Sequence, residues 1–480
     1  MTLSDLTSSG AGPAPTEPNE SPVRPRIGPR RTGAAVVDAV IVLAPLIVGA
    51  LILRSLAGVP AVGSADQVVF GGAAILTSAA LYVGTLGVGK GRRGASVGDR
   101  WFGLVVRSHD GQILGLARAL NPFSARETAT RRDAEAEGWV VPLATRTRKQ
   151  RLGMLAALAL LLALLVLASL AVGSRSLSIA DVLGALLPPY DGTASDADLI
   201  VRELRLPRTL LGIVVGAALG AAGASIQGHT RNPLADPGLL GVSAGAACAV
   251  VLAIYLLGAS TPIEFIWFAF AGALVASAAV FGISSIGAGI RSPLTLILAG
   301  SALAAALGSI TSAIVLIDET TLDSYRFWVV GSLAGRGLDI LVPLLPFFAI
   351  GLVLAFAGGP GLNLLTTGDD VARGLGLNIG AHRLLGLATI TLLTGAATAA
   401  CGPIAFVGLV APHVARALVG ADYRWLIPAS AGTGAALLVA SDVVGRVLVR
   451  PAELQVGIVV ALIGAPFFVA LIRRRTPAAL

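Results

Sequence analysis

The run PRTLLGIVVGAALGAAGASIQ, residues 207–227, decides how the whole chain is read. From Thr209 to Gln227 it carries no charge, and it is rich in Gly and Ala. A helix needs roughly 20 mostly apolar residues to cross a bilayer, and small residues let such helices approach closely in lipid. Strict alternation of apolar and polar residues, the mark of a membrane barrel strand, is absent. Eleven further runs of this kind flank it: 33–55, 68–88, 153–173, 239–257, 265–288, 293–317, 338–357, 384–401, 403–419, 427–447 and 455–472. The expected fold is therefore an all-α, polytopic membrane protein of about 12 spans, two N-terminal and ten following.

Composition agrees. Of 480 residues 55% are hydrophobic and only 13% charged, and mean hydropathy is +0.83. Soluble domains carry about 25% charged residues, so a soluble enzyme, a disordered chain and a disulfide scaffold are all excluded. Cys248 and Cys401 lie in apolar runs with no second ligand nearby, which fits two small buried side chains.

The formal charge of +8 has a location. Segment 89–151 holds 13 Lys or Arg against 6 Asp or Glu, and a basic segment between spans is expected on the cytosolic side. That makes the excess a membrane-orientation signal and argues against nucleic acid as a partner. With two spans before it and ten after, both termini are expected in the cytosol; Arg473, Arg474 and Arg475 fit this. Residues 1–32 read as a disordered cytosolic tail, 33–151 as a two-span module with the basic loop, and 152–480 as a ten-helix domain. Beyond residue 152, nine Arg fall on the inner side of this topology and eight on the outer. The positive-inside bias alone would not keep so many outside, so some outer arginines are expected to have a purpose.

Active transport needs an energy source. Gly84 to Lys90 imitates a P-loop, but Gly91 stands where a magnesium-binding hydroxyl is required. If ATP drives this protein, another polypeptide hydrolyses it. Ion-coupled carriers keep ionisable groups inside the bilayer; Asp38 is the one clear case, and the ten later spans are nearly free of central charge. An ion-coupled secondary carrier is the lesser alternative.

Four polar clusters remain. Arg205-Leu206-Pro207-Arg208 opens the fourth span, with its arginines three apart on one helix face. Arg231-Asn232-Pro233-Leu234-Ala235-Asp236-Pro237-Gly238 reads as an inner turn. The inner loop 359–383 contains Gly368-Asp369-Asp370-Val371-Ala372-Arg373-Gly374-Leu375-Gly376, which suits one or two short surface helices and a docking surface for a soluble partner. Pro412-His413-Val414-Ala415-Arg416 ends the tenth span, and its lone His has no ligand set around it.

Taken in order, RLPR at 205–208, RNPLADPGLLGVSAGA at 231–246, LNLL at 362–365, GDDVARGLG at 368–376, GPIAFVGLVAPHVAR at 402–416, SDVVGR at 441–446, AEL at 452–454 and GAPFF at 464–468 resemble the permease subunit of ferric-siderophore and cobalamin importers, the FecCD-type family. The resemblance covers roughly residues 150–480. It implies a permease of the bacterial plasma membrane, working as a homodimer or related heterodimer with a cytosolic ATPase dimer, an extracytoplasmic substrate-binding protein and the lipid bilayer around it. It implies no catalytic residue and no metal ligand in this chain; ATP and magnesium belong to the ATPase. Arg205, Arg208 and Arg446 match the outer arginines that receive the binding protein. Gly368, Asp369, Asp370, Ala372, Arg373, Leu375 and Gly376 match the coupling region. Asn232, Pro233, Asp236, Pro237, Pro412, His413 and Arg416 match turns on the inner side. The implied cargo is a ferric siderophore, with cobalamin or haem as the alternatives. One departure is Gln455, where the family usually has Pro after the Glu-Leu of its last outer motif. The first 150 residues resemble the RDD family, through Arg30, Arg31 and Asp38 and the run Gly98-Asp99-Arg100-Trp101-Phe102-Gly103-Leu104-Val105-Val106 followed by Asp110-Gly111.

Overall fold

The computed structural model describes residues 104–107, 127–130, 147–173, 175–186, 195–285, 293–449 and 452–473. The expected tail and the spans 33–55 and 68–88 lie outside the described residues. In the basic segment, β1 (Leu104–Arg107) pairs antiparallel with β2 (Glu127–Thr130), Leu104 opposite Thr130. The sequence reading had placed no strand there.

The rest is helical. In chain order come α1 (Arg148–Ala171), α2 (Ile179–Leu186), α3 (Asp196–Leu199) running through a π-helical turn at Ile200–Arg205 into α4 (Leu206–Thr230), a 3-10 turn at Pro237–Leu240, α5 (Val242–Leu257), α6 (Pro262–Ser285), α7 (Pro293–Ile317), α8 (Glu319–Val329), α9 (Leu338–Leu365), α10 (Asp369–Gly374), α11 (Ile379–Cys401), α12 (Val407–Val419), α13 (Tyr423–Leu448) and α14 (Val456–Arg473). Each of the ten spans expected after residue 152 falls on one of these helices. Among the described residues, seven helical stretches are long and apolar enough to cross a membrane, and α5, α12 and α14 are shorter apolar helices. At about 1.5 Å per residue, the 24 residues of α1 reach about 36 Å, enough to cross the hydrocarbon core. Because the helices traverse alternately, the bundle has two ends, named here by the residues that flank α1: the Thr147 end and the Val172 end.

Local chemistry sets the helix limits. Thr147 caps α1 with a reciprocal box: Gln150 N donates to Thr147 Oγ1, and Thr147 N to Gln150 Oε1. Asp318, Asn378 and Asp422 cap α8, α11 and α13. The core is the crossing of α4 with α13. A Cβ on Gly216 or Gly220 would run into the backbone of Gly434, Ala435 or Ser430, so only glycine permits this approach. The windows of α4, α11 and α13 are 78%, 72% and 67% buried, against 11% for α7. Those three helices are therefore central, and α7 is peripheral. Cys248 and Cys401 are buried free thiols.

Two boundaries differ from the sequence reading. The span expected to stop at 357 continues as α9 to Leu365, so Leu362-Asn363-Leu364 is helix rather than loop. The span expected at 403–419 becomes helical only at Val407. Before it the chain turns through Gly402 and Phe406, both at positive φ, with Gly402 pressed against the Trp328 carbonyl.

Candidate functional site

At the Val172 end, α1 finishes with carbonyls that have no partner within the helix. Arg205 and Arg446 supply them. Arg205 Nη1 donates to the carbonyls of Leu170 at 2.6 Å and Ala171 at 2.9 Å, and its Nη2 to that of Arg175. Arg446 Nη1 donates to the Ser169 carbonyl at 2.8 Å, and Nη2 to Ser169 Oγ at 3.1 Å. Cations also suit the negative end of the helix dipole. Asp442 on α13, 2% exposed, is the hub. It pairs with Arg446 one turn on and accepts from Arg208 Nη2 at 2.7 Å. Arg208 also reaches Glu453 at 2.7 Å.

The three arginines that the sequence marked for docking are held differently. Arg205 and Arg446 are 6% and 2% exposed, and their donors serve the C-terminus of α1. Arg208 sits nearer the surface beside Glu453. The three border a cleft of about 490 Å3 whose lining includes five arginines (Arg175, Arg205, Arg208, Arg336, Arg446) and three carboxylates (Glu203, Asp339, Glu453). The sequence reading missed Arg336. Its Nη1 is buried without a partner among the described residues, and burial pulls its guanidinium below the ordinary value. A short loop between α8 and α9 gave no signal for this; only the closure of the cleft buries that nitrogen.

At the Thr147 end the turn after α4 is shaped by its own side chains. Arg231 takes a left-handed conformation, Asn232 Oδ1 accepts from Leu234 N at 3.0 Å, and Asp236 Oδ1 accepts from Gly238 N at 2.9 Å. Burial pushes the Asp236 carboxyl up. Gly408 of α12 admits Pro237 and Asp236 against it. Pro233 lies in the same turn, and Pro412 is inside α12. His413 Nδ1 pairs with the Leu409 carbonyl at 2.8 Å, and Arg416 donates to Gln227 at 3.1 Å.

The Gly368–Gly376 stretch forms the short helix α10, with Gly368 and Gly376 at positive φ, Ala372 buried and Leu375 exposed. Asp369 binds it to two spans at once. It pairs with Arg231 at the end of α4, and with Arg383 on α11 through both carboxylate oxygens, at 3.1 and 3.0 Å. Burial raises the Asp369 carboxyl, but the two arginines outweigh it and hold it below its ordinary value. Asp370 and Arg373 pair on the exposed side at 3.0 Å. A second knot joins α1, α9 and α13: Asp422 accepts from Arg151 at 2.9 Å and from Asn363 at 2.7 Å. Burial raises the Asp422 carboxyl too, and those donors, with the Arg424 amide, bring it below its ordinary value. Arg383 and Asp422 were not singled out from sequence, and Arg231 was read only as part of a turn, because their partners include residues far along the chain.

The arrangement has a basic cleft at one end and, at the other, a short exposed helix tied to two central spans. Comparison with known proteins points the same way. Residues 161–474 match the FecCD transport family, and residues 28–184 match the RDD family. Ferric enterobactin transport system permease protein FepD of Escherichia coli (strain K12) is 49% identical over 324 residues, which is 66% of this chain and 94% of FepD. Hemin transport system permease protein HmuU of Yersinia pestis is 40% identical over 332 residues, 67% of this chain and 96% of HmuU. Fe(3+)-citrate import system permease protein YfmD of Bacillus subtilis (strain 168) is 43% identical over 306 residues, 64% of this chain and 90% of YfmD. A solved ABC transporter described as of metal-chelate type, in an inward-facing conformation, superposes with a TM-score of 0.60 at 31% identity, over 67% of this chain and 99% of that one.

Proposed function

The chain belongs to the FecCD transport family, and from that premise we propose that it is the permease of an ATP-driven importer of ferric siderophores in a bacterial plasma membrane, with the Thr147 end and both termini in the cytosol. A separate ATPase pair works at the Thr147 end, a binding protein docks at the Val172 end, and a second permease copy completes the channel. The observation that carries the mechanism is the Asp369 knot. One carboxylate fixes the exposed helix α10 to both α4 and α11, so displacement of α10 by an ATPase is passed to the two most central spans together. The energy for switching is the difference in the ATPase's binding to the two states. The cargo class is supported by the relatives: the three named above are permeases for ferric enterobactin, hemin and ferric citrate.

Docking is assigned to the cleft rather than to all three motif arginines. Arg205 and Arg446 build the wall, while Arg336 and Arg208 meet carboxylates of the binding protein. Charge pairs at such an interface set orientation and encounter rate. Arg336→Gln is expected to weaken capture of the loaded binding protein by roughly tenfold, the worth of a charge-assisted hydrogen bond. Unchanged capture would remove Arg336 from the interface. The cargo is tested by ATP-driven uptake of labelled ferric siderophore against cobalamin and haem.

A further inference from the structure

The first turns of α1 and α13 meet at the Thr147 end. Asp422, which caps α13, accepts from Arg151 Nη1 at 2.9 Å and from the Arg424 amide at 3.1 Å. The Arg151 guanidinium also lies over the Trp425 ring, 5.8 Å from its centroid. Three more cations stand around this junction, all exposed: Arg148 and Lys149 in the first turn of α1, and Arg424 in that of α13. None of the three pairs with a carboxylate among the described residues. The other arginines of this end are engaged, Arg231 and Arg383 by Asp369, Arg373 by Asp370 and Arg416 by Gln227. No acidic residue stands in the first turn of α1 or of α13, and Asp422 is already shared by Arg151 and Asn363. Among the described residues, the charges of Arg148, Lys149 and Arg424 are therefore left without a counter-charge.

Beyond the cations the surface turns apolar. Lys149, Leu152, Ala156 and Leu160 follow one another at helical spacing along one face of α1, and all are exposed. Only 28% of the apolar window of α1 is buried, so this face is turned to the bilayer. Because α1 spans the hydrocarbon core, its first turn lies at headgroup level, and an interfacial position suits the ring of Trp425. Basic pockets between membrane helices hold anionic headgroups. A phospholipid of that kind matches both parts of the surface, its phosphate the cations and its acyl chain the strip beneath them. A zwitterionic lipid brings no net charge and leaves the cations uncompensated. A soluble protein reaches the cations only from the water side and leaves the apolar strip as it was.

We propose that the junction of α1 and α13 is a seat for one anionic phospholipid, whose phosphate meets Arg148, Lys149 and Arg424 and whose acyl chain lies along Leu152, Ala156 and Leu160. The lipid bridges the first turns of two spans that the protein itself joins there through Arg151 and Asp422. The seat requires only that α1 crosses the bilayer; it does not depend on the importer reading.

The test titrates the full-length permease in detergent with dioleoylphosphatidylglycerol or dioleoylphosphatidylcholine and counts bound lipid by native mass spectrometry. A basic residue beside an anionic headgroup is worth roughly fivefold in affinity. Arg148→Gln, Lys149→Gln and Arg424→Gln combined should therefore weaken binding of the first phosphatidylglycerol by at least about tenfold and leave phosphatidylcholine unchanged. The variant keeps Arg151 and Asp422, so the tie between α1 and α13 stays. Arg373→Gln removes a cation that is exposed at the same end but paired with Asp370, and should leave both lipids unchanged. Equal phosphatidylglycerol binding by the triple variant and the unaltered protein overturns the seat, as does an equal loss in Arg373→Gln. Glycerol 1-phosphate in millimolar excess should not displace the lipid; displacement makes this a site for free phosphate and overturns the lipid. A triple variant that keeps its phosphatidylglycerol but no longer captures the ATPase shows a protein contact instead, and the proposal fails.

Discussion

Asp442 lies between two guanidinium groups in a place with almost no access to water. Removing one partner of a buried charge pair costs about 3–5 kcal/mol, because the remaining charge is left uncompensated. Asp442→Ala should therefore lower thermal stability in detergent sharply, while Glu453→Gln, on the more exposed pair with Arg208, should cost about 0–1 kcal/mol. Equal losses would contradict the hub role of Asp442. Asp369 makes a different prediction. Its carboxyl is held below the ordinary value of 3.8, so its stabilising contribution is complete above that value and is lost only as pH falls through the lowered one. Between pH 7.5 and 5.5 it stays ionised. Asp369→Asn should reduce uptake per ATP at every pH in that window and leave the shape of the pH profile alone; a flattened profile would make Asp369 the titrating group. At this scale the sequence was informative but incomplete. RLPR and SDVVGR drew attention to Arg205, Arg208 and Arg446, yet nothing local showed that Arg205 and Arg446 turn to the end of α1, since Ser169 and Leu170 are far away in the chain.

The crossing of α4 and α13 depends on the absence of side chains. Gly220→Val would drive methyl groups into the Ser430 carbonyl, and overpacking costs typically about 1–3 kcal/mol, more where backbone must move. Gly153→Val on α1 meets nothing within 4 Å and serves as the control. The melting temperature of the first should fall well below that of the second; similar values would mean that the contact is not tight. The spans themselves were readable, because an apolar run of membrane length has few other uses. Their ends were harder. Gly358 to Gly361, with Pro360, reads as a breaker, yet α9 runs through it to Leu365. The Gly359 backbone packs against Tyr423 and Arg424, and Gly361 against His382, so tertiary contacts override the local signal. The cleft was illegible for the same reason: Arg336 and Glu203 meet there only because α4 and α9 converge.

Across the whole molecule, the two family matches overlap at residues 161–184, the second half of α1 with α2. Much of α1 thus lies in both matched stretches. That helix is tied to the permease at both ends, by Arg151 with Asp422 and by Arg205 and Arg446 at its carbonyls. In the function proposed above, the opposed ends of the bundle divide the work into docking and drive, and the energy source lies outside the chain. The most direct measurement is uptake of a labelled ferric siderophore into proteoliposomes holding the permease with its ATPase, with the binding protein on the Val172 side. The account predicts uptake that needs ATP and the binding protein together and is indifferent to collapse of the proton gradient. Uptake that continues without ATP and disappears with the proton gradient would contradict it.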